Sequence, residues 1–260
     1  MFLVLIWPKI GCRIFFMVFG LVFFLFLLPV QNGSGSEDPV PFQRLIQELE
    51  SPEQQSRWDA IGALGASGDG RAVPYLMEAL EKDMKQRKGY AMAIIPALGQ
   101  LKDERAVPLL VEALNRMDED WMGRVAAARA LGEIGSTKAV PGLIKAAWLP
   151  ETRSAAIEAL ARIKDPRAIS PLLSALGISE KSEARQAAVE ALIDIGKPAV
   201  PELIETLESL YSGDHARALA AGILGKIGDP RALDPLRKAL DDPNEIVRNY
   251  AEKALELMTN

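Results

Sequence analysis

Apolar residues from position 40 onward recur in blocks with a nearly constant spacing. Each block places Val, Ile or Leu next to or near a Pro, and then Leu or Ile at helical spacing. The blocks begin at Val40, Val73, Val107, Val140, Ile169, Val200 and Leu233. A series of leucines keeps the same step: Leu64, Leu98, Leu131, Leu160, Leu192, Leu224 and Leu255. Two series in register over seven copies predict stacked structural units, each of which buries its apolar face against its neighbours.

Each copy predicts two helices. The first begins with Pro in its first turn, where the missing N–H leaves no hydrogen bond unmade, as in residues 108–114. The second carries a stripe of small residues, as in residues 125–130. Three glycines fit the left-handed position after a second helix: Gly135, Gly196 and Gly228. The predicted fold is all-α, a right-handed α-solenoid of about seven helical pairs.

Two segments carry a family resemblance, RALGEIGSTKAVPGLIKAA at residues 129–147 and ILGKIGDPRALDPLRKAL at residues 223–240. They resemble the HEAT-like repeats named after the phycobilisome lyases, and the resemblance covers residues 38–258. It implies an α-solenoid and is less specific for function. Proteins with such repeats are mostly interaction scaffolds, but they also include bilin lyases, diiron deoxyhypusine hydroxylases and DNA glycosylases.

Residues 1–30 have a different pattern, with 24 apolar residues and no acidic residue. The run 14–30 contains 17 uncharged residues, just short of the roughly 20 that span a bilayer. A cleaved signal peptide and an uncleaved signal anchor both remain open. Because Lys9 and Arg13 precede the run, we expect the rest of the chain outside the cytoplasm. The predicted location is the cell membrane with an extracytoplasmic domain, or the periplasm or medium after cleavage.

A Gly/Ser-containing stretch at residues 31–37 predicts a flexible linker, and residues 38–260 predict the repeat domain. After Val30 the chain has 28 basic and 35 acidic residues, a net charge of −7. This acidic balance, with alternating charges on the second helices, disfavours a nucleic-acid partner.

The chain contains one His and one Cys, too few for a zinc site, a catalytic Cys-His pair or a disulfide framework. Asp214 is predicted to cap a helix and to leave His215 exposed in its first turn. The hydroxylases of the resembling class use His-Glu pairs, and His215 is followed by Ala216. We therefore predict no catalytic residue, no metal, no cofactor and no enzymatic activity.

An arginine stands seven positions before the marker leucine in six copies: Arg57, Arg124, Arg153, Arg185, Arg217 and Arg248. Such a ladder could bind an anionic ligand. The favoured interpretation is structural, because an element that recurs at the repeat period is explained by the construction of the repeat. Each arginine would then bind loop carbonyls and a nearby acid, with Asp118 and Asp242 as candidates.

The second copy departs from this rule, with Ala91 in place of Arg and with Pro96 inside the predicted second helix, where it should cause a kink or an irregular turn. Its turn is basic, and the equivalent turn of the next copy, residues 118–120, is acidic. The two turns could pair with each other or form a partner-binding edge.

Trp58 occupies a position that varies between copies and is expected to face outward. The candidate partner-binding residues are Trp58, Lys85, Arg87, Lys88, Tyr90 and Trp121. Trp148 is expected to fill the junction of the shortest copy.

These features predict a non-catalytic protein–protein interaction scaffold. It would be exported, or tethered to the membrane through residues 14–30, and would bind another protein or a peptide on the solenoid surface. The alternative is a chromophore-handling protein of the bilin-lyase type, which requires a groove and little catalytic machinery.

Overall fold

A computed structural model describes residues 42–115, 121–177 and 182–259, and within these ranges the chain forms paired helices without strands. The first four pairs are α1 (Phe42–Glu48) with α2 (Gln54–Ala66), α3 (Ala72–Gln86) with α4 (Ala91–Leu101), α5 (Val107–Asn115) with α6 (Trp121–Ile134), and α7 (Val140–Ala147) with α8 (Arg153–Ile163). The other three are α9 (Ile169–Leu176) with α10 (Glu183–Ile195), α11 (Val200–Glu208) with α12 (Asp214–Ile227), and α13 (Leu233–Lys238) with α14 (Glu245–Thr259). The described residues therefore form an α-solenoid of seven pairs.

Several first helices follow a short 3₁₀ turn whose own cap fixes the entry of the chain. The side chains of Asp103, Ser136, Asp165 and Asp229 each accept the backbone N–H two residues later. The helix after the turn then buries its apolar stripe, as α7 does with Val140 and Leu143. Pro141 lies exposed in the first turn, which is the position predicted for it.

The second helices of neighbouring pairs approach each other closely through small residues. A Cβ atom on Gly65 would lie 2.8 Å from the Cα of Ala97, and one on Gly132 would lie 2.8 Å from the Cα of Ala159. Gly99 and Gly225 meet Ala130 and Ala254 in the same way. Because no real Cβ tolerates such a distance, glycine is required at these four contacts between second helices.

The ends of the second helices follow the predicted left-handed pattern only in part. Gly228 is in the left-handed conformation, with φ 68° and ψ 24°. Gly196 also has a positive φ of 70°, but its ψ of −130° lies in a region that is essentially restricted to glycine. Lys102 and Lys164 adopt the left-handed conformation without being glycine, with φ values of 52° and 57°.

Pro96 does not break its helix, because α4 runs without interruption from Ala91 to Leu101. Pro96 and the residue one turn before it, Met92, are both exposed. The Met92 carbonyl, which loses its helical N–H donor, therefore lies on the side of the helix that water reaches. The irregular turn that was one of the two expectations is therefore absent, and the kink stays a prediction.

The N-terminal predictions fall outside the described residues. They are the signal or anchor segment at 1–30 and the linker at 31–37. Among the residues with a described structure, no helix combines the length and the apolar character needed to cross a membrane. The domain boundaries and the right-handed sense of the solenoid stay predictions.

Candidate functional site

A cleft lies between the first two helical pairs and has a volume of about 280 Å³. Its apolar lining comes from Leu49, Ile61, Ala79 and Ile94, and its polar lining from Glu50, Arg57, Lys82, Asp83, Gln86, Lys88 and Tyr90. We call it the first cleft. It lies where α2 and α3 meet the turn before α4, in the copy that departs from the arginine pattern.

The Arg57 guanidinium and the Tyr90 ring line the first cleft, and a second aromatic ring, Trp58, contacts Tyr90 from outside the lining. The guanidinium carbon of Arg57 lies 4.4 Å from the centroid of the Tyr90 ring, within the range of a cation–π contact. The ring of Trp58 is tilted toward Tyr90, with 6.3 Å between the two centroids. Arg57, Tyr90 and Trp58 thus form one continuous set of contacts.

Asp83 is buried in this cleft, with 6% of its surface exposed. It follows Val73, Leu76 and Leu80 on the buried stripe of α3, a place where an apolar residue is expected. One carboxylate oxygen, Oδ2, accepts the backbone N–H of Ala91 at 2.8 Å, which satisfies the first donor of α4. Asp83, on α3, therefore fixes the start of the next helix, α4.

Two buried polar atoms of the first cleft have no hydrogen-bond partner among the described residues: Oδ1 of Asp83 and Nε of Arg57. Leaving such an atom unsatisfied costs about 1–3 kcal/mol, and more when the group is charged. The two side chains are not joined by an ion pair in the part of the chain that the structure describes. The cleft thus presents one acceptor and one donor with unused capacity.

The rest of the polar lining makes the first cleft cationic. Lys82 contacts Glu50 at 3.3 Å, so these two charges offset each other. Arg57 and Lys88 then outnumber Asp83. An apolar wall beside a cationic polar edge suits an organic molecule with an acidic group.

The candidate partner-binding residues lie on several elements. Lys88 and Tyr90 line the first cleft, and Trp58 contacts the Tyr90 ring. Lys85 and Arg87 are exposed at the end of α3, and Arg87 has a positive φ of 54°. Trp121 is 51% exposed at the start of α6 and lies beside Met122, which is 50% exposed. The acidic residues 118–120 lie outside the described residues.

The six arginines of the predicted ladder occupy different environments. Arg217 is buried and bonds both carboxylate oxygens of Asp242, at 3.0 and 3.2 Å, and Asp214 at 2.9 Å. Arg248 donates to the backbone carbonyls of Asp242 and Pro243. The other four vary in burial and contacts: Arg57 stacks on Tyr90, the buried Nε of Arg124 has no partner among the described residues, Arg153 is exposed, and the backbone N–H of Arg185 is capped by Ser182.

A second arginine series links neighbouring pairs, and the sequence predictions above did not include it. Arg105 donates to the carbonyl of Gly70 at 2.7 Å, Arg167 to that of Thr137 at 3.0 Å, and Arg231 to that of Lys197 at 3.1 Å. Each also bonds the Asp two residues before it. The hydrogen bonds from Arg231 lower the pKa of Asp229 to about 2. The regular recurrence of Asp-x-Arg at the repeat period was the available signal.

Two further predictions about single residues are corrected. Trp148 is 52% exposed and does not fill the short fourth pair. Thr152 is buried there instead and donates its hydroxyl to the carbonyl of Ala146 at 2.7 Å.

Asp214 does not cap α12, since it is the first residue of that helix and bonds Arg217 and Asn244. His215 is exposed, and no group of metal-ligating side chains occurs among the described residues.

A protein-family comparison decides the family. A model described as HEAT repeats matches residues 42–118, 86–151, 112–193, 147–217 and 179–256. The chain belongs to the HEAT-repeat family. The predicted resemblance to the phycobilisome-lyase type of HEAT repeat is confirmed, because the curated relatives of this HEAT-repeat chain are bilin lyase proteins.

Those relatives match over part of their length. The phycocyanobilin lyase subunit beta of Nostoc sp. is 37% identical over 107 residues, which are 41% of this chain and 52% of the relative. The corresponding subunit of Thermosynechococcus vestitus is 40% identical over 104 residues, 40% of this chain and 47% of the relative. The bilin biosynthesis protein PecE of Mastigocladus laminosus is 33% identical over 129 residues, 48% and 47%. The chain thus spans about half the length of the curated relatives that it matches.

Solved structures show the same fold. The complex of CpcE and CpcF of phycocyanin lyase from Nostoc sp. has a TM-score of 0.52 at 24% identity, over 88% of this chain and 98% of that chain. An engineered protein has a TM-score of 0.51 at 20% identity, over 84% and 68%. At these identities the likeness concerns the solenoid alone.

The comparisons correct three predictions. The non-catalytic scaffold is wrong, and so is the absence of enzymatic activity, because the curated relatives are named lyase subunits and bilin biosynthesis proteins. The low His and Cys counts could not exclude a lyase, since they exclude only chemistry that needs those side chains. The predicted membrane or exported location is also wrong. It depended on residues 1–30 alone, and the relatives are bilin lyase proteins.

Proposed function

We propose that this chain is a chromophore-handling subunit of a bilin lyase. In this proposal it holds a bilin and acts together with a second protein to deliver the bilin to its acceptor. The observation that carries the proposal is the first cleft, which combines an apolar wall, a stacked Arg57–Tyr90 pair and unused polar capacity. The names of the curated relatives support a bilin as the molecule handled.

The chemistry of a bilin fits such a cleft. A bilin is a linear tetrapyrrole with flat apolar rings, N–H donors and two propionate carboxylates. Flat rings can contact Tyr90 and Trp58, and carboxylates can pair with Arg57 or Lys88. No nucleophile or metal is required of the chain for binding, which agrees with the composition of the cleft.

A partner protein is the second part of the proposal. The CpcE and CpcF proteins of Nostoc form a complex, and we expect this chain likewise to act with a second component. Trp121 with Met122 is the contact that we propose on this chain, because large exposed apolar residues provide most of the binding energy in interfaces.

Bilin binding and transfer test this proposal. The full chain is mixed with phycocyanobilin and separated by gel filtration, and the absorbance of the protein peak is recorded. We expect bilin to elute with the protein and its absorbance spectrum to change. The engineered protein with the same fold is the control and should elute without bilin.

For transfer, phycocyanin alpha subunit without bilin is added, with and without CpcE of the Nostoc lyase. We expect more bilin to stay on phycocyanin after denaturation when this chain is present than in its absence, and a Trp121→Ala change to reduce the effect of CpcE. Absence of both binding and transfer would show that the chain does not handle bilins.

A further inference from the structure

The first cleft contains two buried polar atoms without a hydrogen-bond partner among the described residues, Nε of Arg57 and Oδ1 of Asp83. Nε of Arg124, at the same register position of the third pair, also has none, but within the described residues an unpartnered carboxylate oxygen accompanies the arginine in the first cleft alone. In the sixth pair, the arginine at the same register position, Arg217, bonds Asp214 and Asp242. In the first pair, Arg57 instead stacks on Tyr90 and its Nε has no partner in the described residues. The repeat can therefore satisfy a buried arginine, and here it does not.

The two unpartnered atoms need opposite kinds of hydrogen-bond partner. Nε of Arg57 needs an acceptor, and Oδ1 of Asp83 needs a donor. Asp83 is fixed in place, because its other oxygen holds the backbone N–H of Ala91. A molecule that satisfies both atoms must carry an anionic or acceptor group and an N–H or O–H donor within the same short fragment.

The size of the first cleft limits how much of a ligand it can hold. Its volume of about 280 Å³ lies at the lower end of small-molecule sites, which span roughly 300–1,000 Å³. It therefore suits one substituted ring and its side chain better than a whole tetrapyrrole. The apolar residues Leu49, Ile61 and Ile94 would cover the faces of that ring.

We propose that the first cleft binds one propionate-bearing pyrrole ring of a bilin. Arg57 donates to the propionate carboxylate, and Oδ1 of Asp83 accepts the pyrrole N–H. Lys88, exposed at the edge of the cleft, adds positive charge beside the carboxylate. This inference rests on the proposed function and assigns the ligand contacts within it.

Two probes, both used with the full chain, separate the propionate contact from the pyrrole N–H contact. They are phycocyanobilin as the free acid and its dimethyl ester, which lacks the carboxylate charges. Each is titrated into the protein, and binding is followed by the absorbance of the bilin. We expect the wild-type chain to bind the free acid about tenfold more tightly than the ester, as one charge-assisted pair implies. Equal affinity for acid and ester would overturn the propionate contact without any variant.

Variants that remove the side-chain charge then locate the contacts. Arg57→Gln should weaken free-acid binding about tenfold and leave ester binding nearly unchanged. Asp83→Asn should weaken both probes, because the amide can still hold the N–H of Ala91 but the acceptor for the pyrrole N–H is lost. Arg153→Gln is the matched control, since Arg153 has the same register and is exposed. Circular dichroism verifies that each variant keeps its helices.

The outcomes distinguish this inference from the function on which it rests. If the wild-type chain binds bilin and both cleft variants bind it equally well, the assignment to the first cleft is wrong and the proposed function stands. If the wild-type chain binds neither probe, the proposed function fails and the assignment fails with it. If Arg153→Gln weakens binding as much as Arg57→Gln, the effect is not specific to the cleft, which also overturns the assignment.

Discussion

At the scale of single residues, one register position of the repeat has very different surroundings from copy to copy. Arg217 has 3% of its side chain exposed and Asp242 has 9%, and the two form a bidentate pair. Arg153 is exposed at the same position. Because the sequence shows the same residue in six of the seven copies, only the neighbours in space decide whether it stabilises the fold.

The buried pair gives the first prediction. Arg217→Met removes the partner of a buried carboxylate, so we expect the free energy of unfolding to fall by about 3–5 kcal/mol. Arg153→Met should change it by less than about 0.5 kcal/mol. Urea unfolding followed by circular dichroism measures both variants. Similar values for the two would contradict the stabilising role of the Arg217–Asp242 pair.

The left-handed helix ends give a second prediction. Lys102 has φ 52° and ψ 33° at the end of α4, a conformation that costs a residue with a Cβ roughly 1–2 kcal/mol. Lys102→Gly should therefore raise the free energy of unfolding, by about 0.5–1 kcal/mol after the larger unfolded-state entropy of glycine is included.

Gly228→Ala is the reverse change at an equivalent end. A Cβ there would meet no atom within 4 Å, so its effect is purely conformational, and we expect a loss of about 1 kcal/mol. Thermal unfolding of both variants should show opposite shifts. A shift in the same direction would mean that local contacts outweigh the backbone conformation.

At the scale of helices, the distance between second helices depends on glycine at the contact. Gly65 faces the backbone of Ala97, whereas Gly62, one turn earlier on α2, has nothing within 4 Å of its Cβ position. The two glycines look alike in sequence and differ only in what lies opposite. This makes them a matched pair within one helix.

Gly65→Ala should overpack this contact and lower the free energy of unfolding by about 1–3 kcal/mol. Gly62→Ala should raise it by about 0.5–1 kcal/mol, because alanine favours the helix and meets no neighbour. Both are measured by denaturant unfolding under the same conditions. Stabilisation by Gly65→Ala would show that the helices can separate without loss.

At the scale of the whole molecule, the Asp-x-Arg turns connect one helical pair to the next. They predict that the folded chain loses stability in acid. The pKa of Asp229 is lowered to about 2, and the pKa values of Asp69, Asp103 and Asp165 are also lowered, in each case first by the hydrogen bond from the arginine that follows. A lowered carboxyl pKa means that the unfolded chain binds protons more readily. The resulting stability is complete above the unfolded pKa of about 4 and is lost as the pH falls.

We therefore expect the difference in unfolding free energy between the wild-type chain and Asp229→Asn to be constant above about pH 5 and to shrink as the pH falls from about 4 toward the folded value of about 2. Arg231→Gln removes the cause of the lowered pKa and should flatten this dependence. Denaturant unfolding at several pH values measures it. A difference that grows on acidification would reverse the predicted sign.

Much of the fold was predictable from the sequence, because apolar periodicity and Pro and Gly positions act locally. The blocks at Val107 and Val140 correctly marked the starts of α5 and α7. The irregular turn considered at Pro96 is absent, because the effect of a proline depends on which side of the helix it faces. Part of the first cleft was predictable: the candidate residues Lys88 and Tyr90 line it and Trp58 contacts the Tyr90 ring, whereas Trp121 lies exposed on α6 and is not part of the lining.

The sequence by itself determined the repeat, the pairing of helices and the family, since each depends on a pattern that recurs along the chain. Tertiary structure alone decided which members of that pattern are special. Asp83 interrupts a core stripe and Arg57 repeats a common position, yet the first cleft arises only where α2, α3 and the turn before α4 meet. Burial and unsatisfied hydrogen bonds belong to the folded arrangement, because they depend on neighbours that are distant along the chain.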